Sequence, residues 1–368
     1  MSTEHHAVDL RRERLMMRAF QSPVTGPLLR RFANPHDVIE AGMAFWSSRL
    51  ILVAVQRGVF TLLAREPLSA QQLTERLGWH PRAATTALDA LVARGLLRRD
   101  NGGRYRNTVR TSMFLDRAKS TYIGGLMELS STRLYDLWSG LDDLLATGVP
   151  AAAEERDGNE FFDILYRDPL ALRTFLSGMT GISTGEATLL AARFPWRRFA
   201  TFADMGCAQG ALPVRVALTH RHLRGTGFDL PVVEPIFTGY VKSFGLADRL
   251  GFAPGDFFTD PLPHADVLSF GHVFHGQGPE KRRELVCRAR ETLPTGGALI
   301  IYDAMPMPGR SKNRFHSLLS SLNIMLETRD GYEATTSDCA DMLRSNGFGD
   351  IKVRHLVGPT SMVYGFKQ

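Results

Sequence analysis

Residues 269–285, SFGHVFHGQGPEKRREL, place two histidines three positions apart, His272 and His275, after an apolar run and ahead of the glycines Gly276 and Gly278. A histidine at a strand end can act as a general base, because its ordinary pKa lies near neutrality. Two other readings stand beside that one: a metal pair, or imidazoles buried without chemistry. On a strand, side chains three apart point to opposite faces. A metal would then need ligands that the spacing does not supply, and none is expected. A second group of residues lies upstream. FADMGCAQGAL holds Asp204, Gly206 and Gly210 in a D-x-G-x-x-x-G arrangement, with Ala208 where a dinucleotide turn usually has its middle glycine. Glycines at such a turn let a ligand approach the backbone. Asp229 follows Asp204 by 25 residues at the end of TGFDLP, and Asp256 follows in GDFFTDPLP. The first interval is close to the ~20 residues that set a carboxylate against ribose hydroxyls. Three acids at three successive strand ends suit a nucleoside, with one acid on the ribose and another on an adenine amine. No phosphate-binding lysine follows the turn, so it is not a P-loop. Asp204 directly before the turn suits a cationic ligand better than a pyrophosphate.

These residues need a scaffold. FATFADMG, LRGTGFDLP, LGFAPGDFF, HADVLSFGHVF, GGALIIYDAMP and SMVYGFKQ read as strands, separated by helical stretches such as PEKRRELVCRARETLP. Alternation of this kind predicts a parallel sheet covered on both faces, with ligands bound beyond the carboxyl ends of its strands. The last segments predict a closing helix and an edge hairpin. Upstream, residues 41–63 read as one helix. Ser69 with Gln72 gives a capping-box pattern, Gly78 a helix stop and Pro81 a helix start. LLRRDNGGRYRNT reads as a tight hairpin. Two short helices followed by a hairpin form a winged helix, a unit used for DNA binding or for dimerisation. Residues 119–195 read as helical and carry the aromatics Tyr135, Trp138, Phe161, Phe162, Tyr166 and Phe175. VDLRRERLMMRAF, with Leu10, Leu15, Met16 and Phe20 among arginines, predicts an amphipathic arm.

The 368 residues are 44% hydrophobic and 22% charged, with a formal net charge of +6. That is the mix of a soluble protein with two or three units. The basic balance permits nucleic-acid contact without requiring it. The three cysteines, Cys207, Cys287 and Cys339, are scattered and imply neither a disulfide framework nor a zinc cluster, and they read as buried free thiols. No uninterrupted apolar run reaches the ~18 residues of a membrane span. A cytoplasmic chain without a membrane or nucleic-acid partner is expected.

The motifs DMGCAQGAL, GFDLP, GDFFTDPLP, GHVFHGQGPEKRREL, LPTGGALIIYDA and DGYEATTSDCADMLRSNGF together resemble the S-adenosylmethionine-dependent O-methyltransferases of the plant caffeate and acetylserotonin type and their bacterial relatives in antibiotic and pigment biosynthesis. The resemblance covers nearly the whole chain. It implies an α/β fold in which a mostly helical N-terminal winged-helix dimerisation domain precedes a Rossmann-like class I methyltransferase domain. The implied division is an arm at 1–35, a dimerisation domain at 36–118, a helical linker at 119–195 and a catalytic domain at 196–368. The cofactor would be S-adenosyl-L-methionine, and the partners a small aromatic or conjugated acceptor and a second copy of the chain.

Carried over residue by residue, Asp204, Gly206 and Gly210 form the cofactor turn, with Gly206 beneath the methionine part. Asp229 takes the ribose and Leu230 lies against the adenine, while Asp256 and Phe257 hold the adenine amine and ring. Gly271 stands near the sulfonium where plant members have lysine, and Met179 and Ser183 reach the cofactor from the linker helix. His275 is the general base, flanked by Asp303 and Glu333. Asn323 and Met325 are candidates for the acceptor pocket. Two departures stand out. Asp303 replaces a more usual glutamate, and the family's His-Asp-Trp reads His275-Gly276-Gln277. The second points to a changed acceptor pocket, and keeps open an alternative in which the cofactor is bound but the reaction is hydroxylation, decarboxylation or a pericyclic rearrangement.

Overall fold

In the computed structural model, residues 10–27, 29, 35–150, 165, 167–307 and 312–368 are described, and the chain divides into two units, 1–53 and 54–368. The predicted aromatics Phe161, Phe162 and Tyr166 lie outside the described residues. The first unit contains α1 (Leu10–Gln21) and most of α2 (Pro35–Gln56). In α1 the arginines leave only a narrow apolar stripe, and no residue of the helix is buried. In α2 the side chains of Val38, Ile39, Met43, Phe45 and Trp46 are exposed. The sequence predicts one helix over 41–63. The chain instead breaks after Gln56, where Gly58 takes a left-handed φ of 76°, and restarts as α3 (Val59–Arg65). Among the described residues, α2 alone would suit a membrane span by length and composition, with a mean hydropathy of 1.6 over 18 residues, although no uninterrupted apolar run is that long.

The second unit begins with the predicted winged helix. α4 (Ala70–Leu77) starts at the Ser69–Gln72 capping box and stops at Gly78, whose φ is 64°. α5 (Pro81–Ala93) starts at its proline. β1 (Leu97–Arg99) pairs antiparallel with β2 (Tyr105–Asn107). Buried Tyr105 anchors the hairpin by donating its hydroxyl hydrogen bond to Asp89 at 2.7 Å. The wing arginines Arg104 and Arg106 both pair with Asp100. α6 (Val109–Phe114) and α7 (Gly124–Leu129) follow, then a wide helical turn at Ser130–Leu134 and α8 (Leu141–Thr147). α9 (Pro169–Arg193), capped by Asp168, leads into the sheet.

The sheet has seven strands in the order β5-β4-β3-β6-β7-β9-β8. β3 (Thr201–Met205), β4 (Arg224–Asp229), β5 (Leu250–Pro254), β6 (Val267–Gly271) and β7 (Ala298–Asp303) run parallel. β9 (Ser361–Lys367) is antiparallel to β7 and to β8 (Phe348–His355), the predicted edge hairpin. Between them lie α10 (Ala211–Thr219), α11 (Glu234–Ser243), α12 (Pro279–Thr292), α13 (Lys312–Glu327) and α14 (Thr336–Ser345). Alternate residues of one strand feed opposite cores. In β7, Ile300 packs with Trp196, Val216 and Met362, whereas Leu299 and Ile301 pack with Phe270 and Leu285. The strand order reverses between β3 and β6, and a doubly wound sheet opens a crevice at such a point. Two expectations change in detail. β6 ends at Gly271, so His272 and His275 do not share a strand. Cys207 and Cys339 are buried free thiols, but Cys287 is exposed.

Candidate active site

The crevice starts at the turn after β3. Gly206 and Gly210 have left-handed φ values of 69° and 96°, and Ala208 adopts 48° without being glycine. A methyl-bearing residue costs about 1–2 kcal/mol in that region. The strain has a visible compensation, since the Ala208 N–H donates to Asp229 Oδ2 at 2.8 Å. Leu230 N–H holds Asp229 Oδ1, also at 2.8 Å. Each oxygen of this buried carboxylate therefore has one fixed donor and a free lone pair. Burial pushes the Asp229 pKa up to about 6. Asp204 is buried beside it. Ser269 donates a 2.6 Å hydrogen bond to Asp204 Oδ1, yet burial still pushes its pKa up to about 7. A ligand that offers hydroxyls to Asp229 and positive charge near Asp204 would complete both groups.

Met179, Ser183, Asp204, Gly206, Gly271 and Tyr302 line one recess in this crevice. Five of these were expected from the sequence, and Tyr302 was not. Its ring occupies the space that a side chain at position 271 would need: a Cβ there would lie 1.9 Å from Tyr302 Cζ. Gly271 is thus a seat for the tyrosine ring. Leu230 follows Asp229 at the neighbouring strand end. Asp256 accepts from Phe258 N–H at 2.8 Å beyond β5, and the Phe257 ring edge lies 3.8 Å from where a Gly206 Cβ would stand. Gly210 opens α10.

The second half of the site lies one residue further along two strands. Asp303, next to Tyr302, brings Oδ1 to 3.2 Å from His275 Nδ1, and Glu333 Oε1 is 3.1 Å from the same nitrogen. The one-methylene-shorter Asp303 therefore reaches the imidazole. Ser320 on α13 donates to Glu333 Oε1 at 2.7 Å. Burial opposes charge on His275, but Asp303 and Glu333 outweigh it and raise its pKa. Burial also pushes Asp303 up to about 6 against the pull of His275, whereas at Glu333 burial is outweighed by His275, Ser320 and His272 together, which hold it below its usual range.

His272 joins this group, contrary to the strand argument. It leaves β6 with a left-handed φ of 56°, and its ring centroid lies 5.7 Å from that of His275. Ligand atoms of His272, His275 and Asp303 fall within 4.8 Å of one another. Each of these nitrogens faces a carboxylate directly. Glu186 on α9, 2.6 Å from His272 Nε2, was not anticipated. An acid in the middle of a helix as apolar as α9 was the available signal. Asn323 is engaged elsewhere: its side-chain oxygen accepts from Trp138 Nε1 at 2.9 Å and its amide donates to Glu327. Met325 is half-buried on the same helix. Gly276 lies in the turn Phe274–Gly276 without a positive φ, and a Cβ there would meet nothing within 4 Å. The freedom it gives is space, and its backbone angle is an ordinary one.

The O-methyltransferase domain matches residues 138–349, and the O-methyltransferase dimerisation domain matches residues 40–117. The chain belongs to the O-methyltransferase family. The tetracenomycin polyketide synthesis 8-O-methyl transferase TcmO of Streptomyces glaucescens is 40% identical over 91% of this chain and 97% of that protein. The N,N-dimethyltransferase OxyT of Streptomyces rimosus is 35% identical over 86% of this chain and 91% of its own length. Among solved structures, human N-acetylserotonin methyltransferase in complex with SAM superposes with a TM-score of 0.81 at 25% identity, over 90% of this chain and 97% of that one. In this methyltransferase, Gly271→Ala should push Tyr302 from its seat. Thermal stability and cofactor binding should both fall in the single variant, and the penalty should largely vanish in a Tyr302→Ala background. A double-mutant cycle by thermal denaturation checks this. Equal penalties in both backgrounds would show that the ring is not the obstacle.

Proposed function

We propose that the chain methylates a hydroxyl of a small polycyclic or otherwise conjugated aromatic metabolite, with His275 as the general base. That it is an S-adenosylmethionine-dependent methyltransferase of the secondary-metabolism type follows from its family, and the non-methylating alternative is not favoured. The aromatic acceptor is our reading, supported by relatives named for polyketide and naphthoate O-methylation. OxyT, named for N,N-dimethylation, marks nitrogen as the other acceptor atom the scaffold carries.

One observation bears most of the mechanistic reading. His275 Nδ1 faces both Asp303 and Glu333, while Nε2 has no hydrogen-bond partner among the described residues. Carboxylates at Nδ1 favour the tautomer that carries its proton there, which leaves the Nε2 lone pair available. The imidazole is only partly covered, with 15% of its side chain exposed, so an acceptor hydroxyl can reach it. When bound, S-adenosylmethionine supplies a methyl group on a positively charged sulfur. The residues of the chain would orient it and remove the acceptor's proton. In this reading Asp229 takes the ribose hydroxyls on its two free lone pairs. Leu230, Asp256 and Phe257 receive the adenine. Asp204, Gly206, Gly210, Gly271, Met179 and Ser183 surround the methionine part. His275 takes the acceptor proton at Nε2 as the oxygen attacks, and Asp303 and Glu333 stabilise the imidazolium that forms. Asn323 and Met325 would act on the acceptor side, Asn323 through its bond with Trp138. The open space at Gly276 gives room for a broad acceptor there.

The dimerisation-domain match supports a homodimer, and the exposed apolar side chains of α2 fall within or beside the matched segment. Light scattering at micromolar concentration should give the mass of two chains. Asp229→Ala should weaken S-adenosylmethionine binding roughly 10- to 150-fold by calorimetry, the equivalent of ~1.5–3 kcal/mol for a hydrogen bond to a charged group. His275→Ala should leave that affinity intact and lower kcat about 10²–10⁴-fold. The base is neutral only above its folded-state pKa, and that pKa is raised. The wild-type rate should therefore climb with pH along a limb that lies above 6.5. A His275→Ala enzyme that still forms methylated product at the wild-type rate would remove the base assignment and leave the methyltransferase standing.

A further inference from the structure

His272 is buried, lies outside the roles assigned above, and occupies a backbone conformation that costs a non-glycine residue about 1–2 kcal/mol. Its two ring nitrogens face two different carboxylates. Nε2 is 2.6 Å from Glu186 Oε2, and Nδ1 is 3.6 Å from Asp303 Oδ1. The other Glu186 oxygen, Oε1, accepts from the Thr360 hydroxyl. Glu186 is therefore an acceptor on both sides, and Nε2 must carry a hydrogen toward it. In a neutral imidazole Nδ1 would then present a lone pair to Asp303 Oδ1, a buried oxygen that has no hydrogen-bond donor of its own in good geometry. While Asp303 is ionised, a ring protonated at both nitrogens presents an N–H to each carboxylate, whereas a neutral ring sets a lone pair against Asp303.

We propose that His272, wedged between Glu186 and Asp303, is a positioning residue that supplies a fixed positive charge and thereby keeps its neighbour His275 free to accept a proton. This rests on the reading of His275 as the base. His275 meets two carboxylates at one nitrogen, an arrangement that by itself would hold a proton on the ring too firmly for a base at neutral pH. A cation 5.7 Å away, centroid to centroid, opposes that second proton. The groups that face His272 from each surrounding element are Glu186 on α9, Asp204 at the end of β3, Tyr302 and Asp303 on β7, His275 in the following turn and Glu333 ahead of α14. Arg282 of α12 acts on Asp303 from behind. Burial works against charge on His272, but Glu186 foremost, then Asp303 and Glu333, raise its pKa to about 9. The charge is thus present through the neutral range and is lost only as pH rises through that value. The same contacts tie α9 to the end of β6.

The test compares wild type, His272→Gln and His272→Lys in two measurements. The first is the NMR titration of the His275 ring, assigned with His275→Gln. The second is the pH dependence of kcat/KM. Glutamine keeps a donor toward Glu186 and removes the charge. In His272→Gln the His275 titration should move up by on the order of one to two pH units. The acidic limb of the rate should move with it, so that activity at pH 7 falls about 10-fold or more and recovers in alkali. His272→Lys should return both toward wild type. A His275 titration unchanged in His272→Gln overturns the proposal, as does a lysine variant that behaves like the glutamine one. A titration that moves while the rate limb stays put upholds the effect of His272 on His275 and removes His275 as the base. If His272→Gln does not fold, His272→Asn serves in its place. It likewise removes the charge and keeps an amide donor, and the His275 titration must again move upward; if it does not, the proposal fails.

Discussion

Five ionisable side chains removed from bulk water, Glu186, His272, His275, Asp303 and Glu333, are the constraint around which the catalytic half of this protein is organised. Buried charges cost several kcal/mol each unless partners and hydrogen bonds compensate them, and deleting one partner leaves the other stranded. The five come from a linker helix, the ends of two strands with the turn after β6, and the segment before α14. Ser320 and Thr360 bring in α13 and the edge hairpin. Each element must therefore be in place before any one of the charges is tolerable. The helices and sheet do not merely carry the site. The electrostatics of the site select the arrangement in which they pack.

The crevice at the end of β3 follows a similar logic with fewer charges. Asp229 is held by two backbone N–H groups, one of which requires Ala208 to stay left-handed. The hydrogen bond between Ala208 and Asp229 offsets both costs, strain and burial: it holds the left-handed turn in place and orients the buried carboxylate. Tyr302 and Asp303, adjacent on β7, point the two halves of the crevice at each other. One ring lines the recess and the next carboxylate faces His275.

The departures from the family's usual pattern fall where this geometry can absorb them. A shorter acid at 303 still reaches His275, because the end of β7 lies directly beside the turn that carries the imidazole. Glycine at 271 goes with a tyrosine at 302 that fills its space. Glycine at 276 leaves real room, since nothing nearby moves into it. The first two changes keep the contacts around them filled, and the third leaves open space beside His275.

The sequence by itself determined the architecture and several of the residues that line the crevice. Strand and helix periods, Ser69–Gln72, Gly78 and Pro81 act over a few residues, so local physics is enough to place them. The acids Asp204, Asp229 and Asp256 were legible because a parallel sheet puts successive strand ends on one edge. The break at Gly58 was not legible, because apolar periodicity runs through it. Nor were Glu186 and the role of His272. Glu186 and His272 are 86 positions apart in the chain and meet only when α9 lies across the end of β6. The spacing of His272 and His275 argued against their meeting, since the argument assumed a strand. β6 stops at Gly271 and one left-handed residue turns both rings toward Asp303, a choice made by buried carboxylates that need protons and therefore by tertiary packing alone.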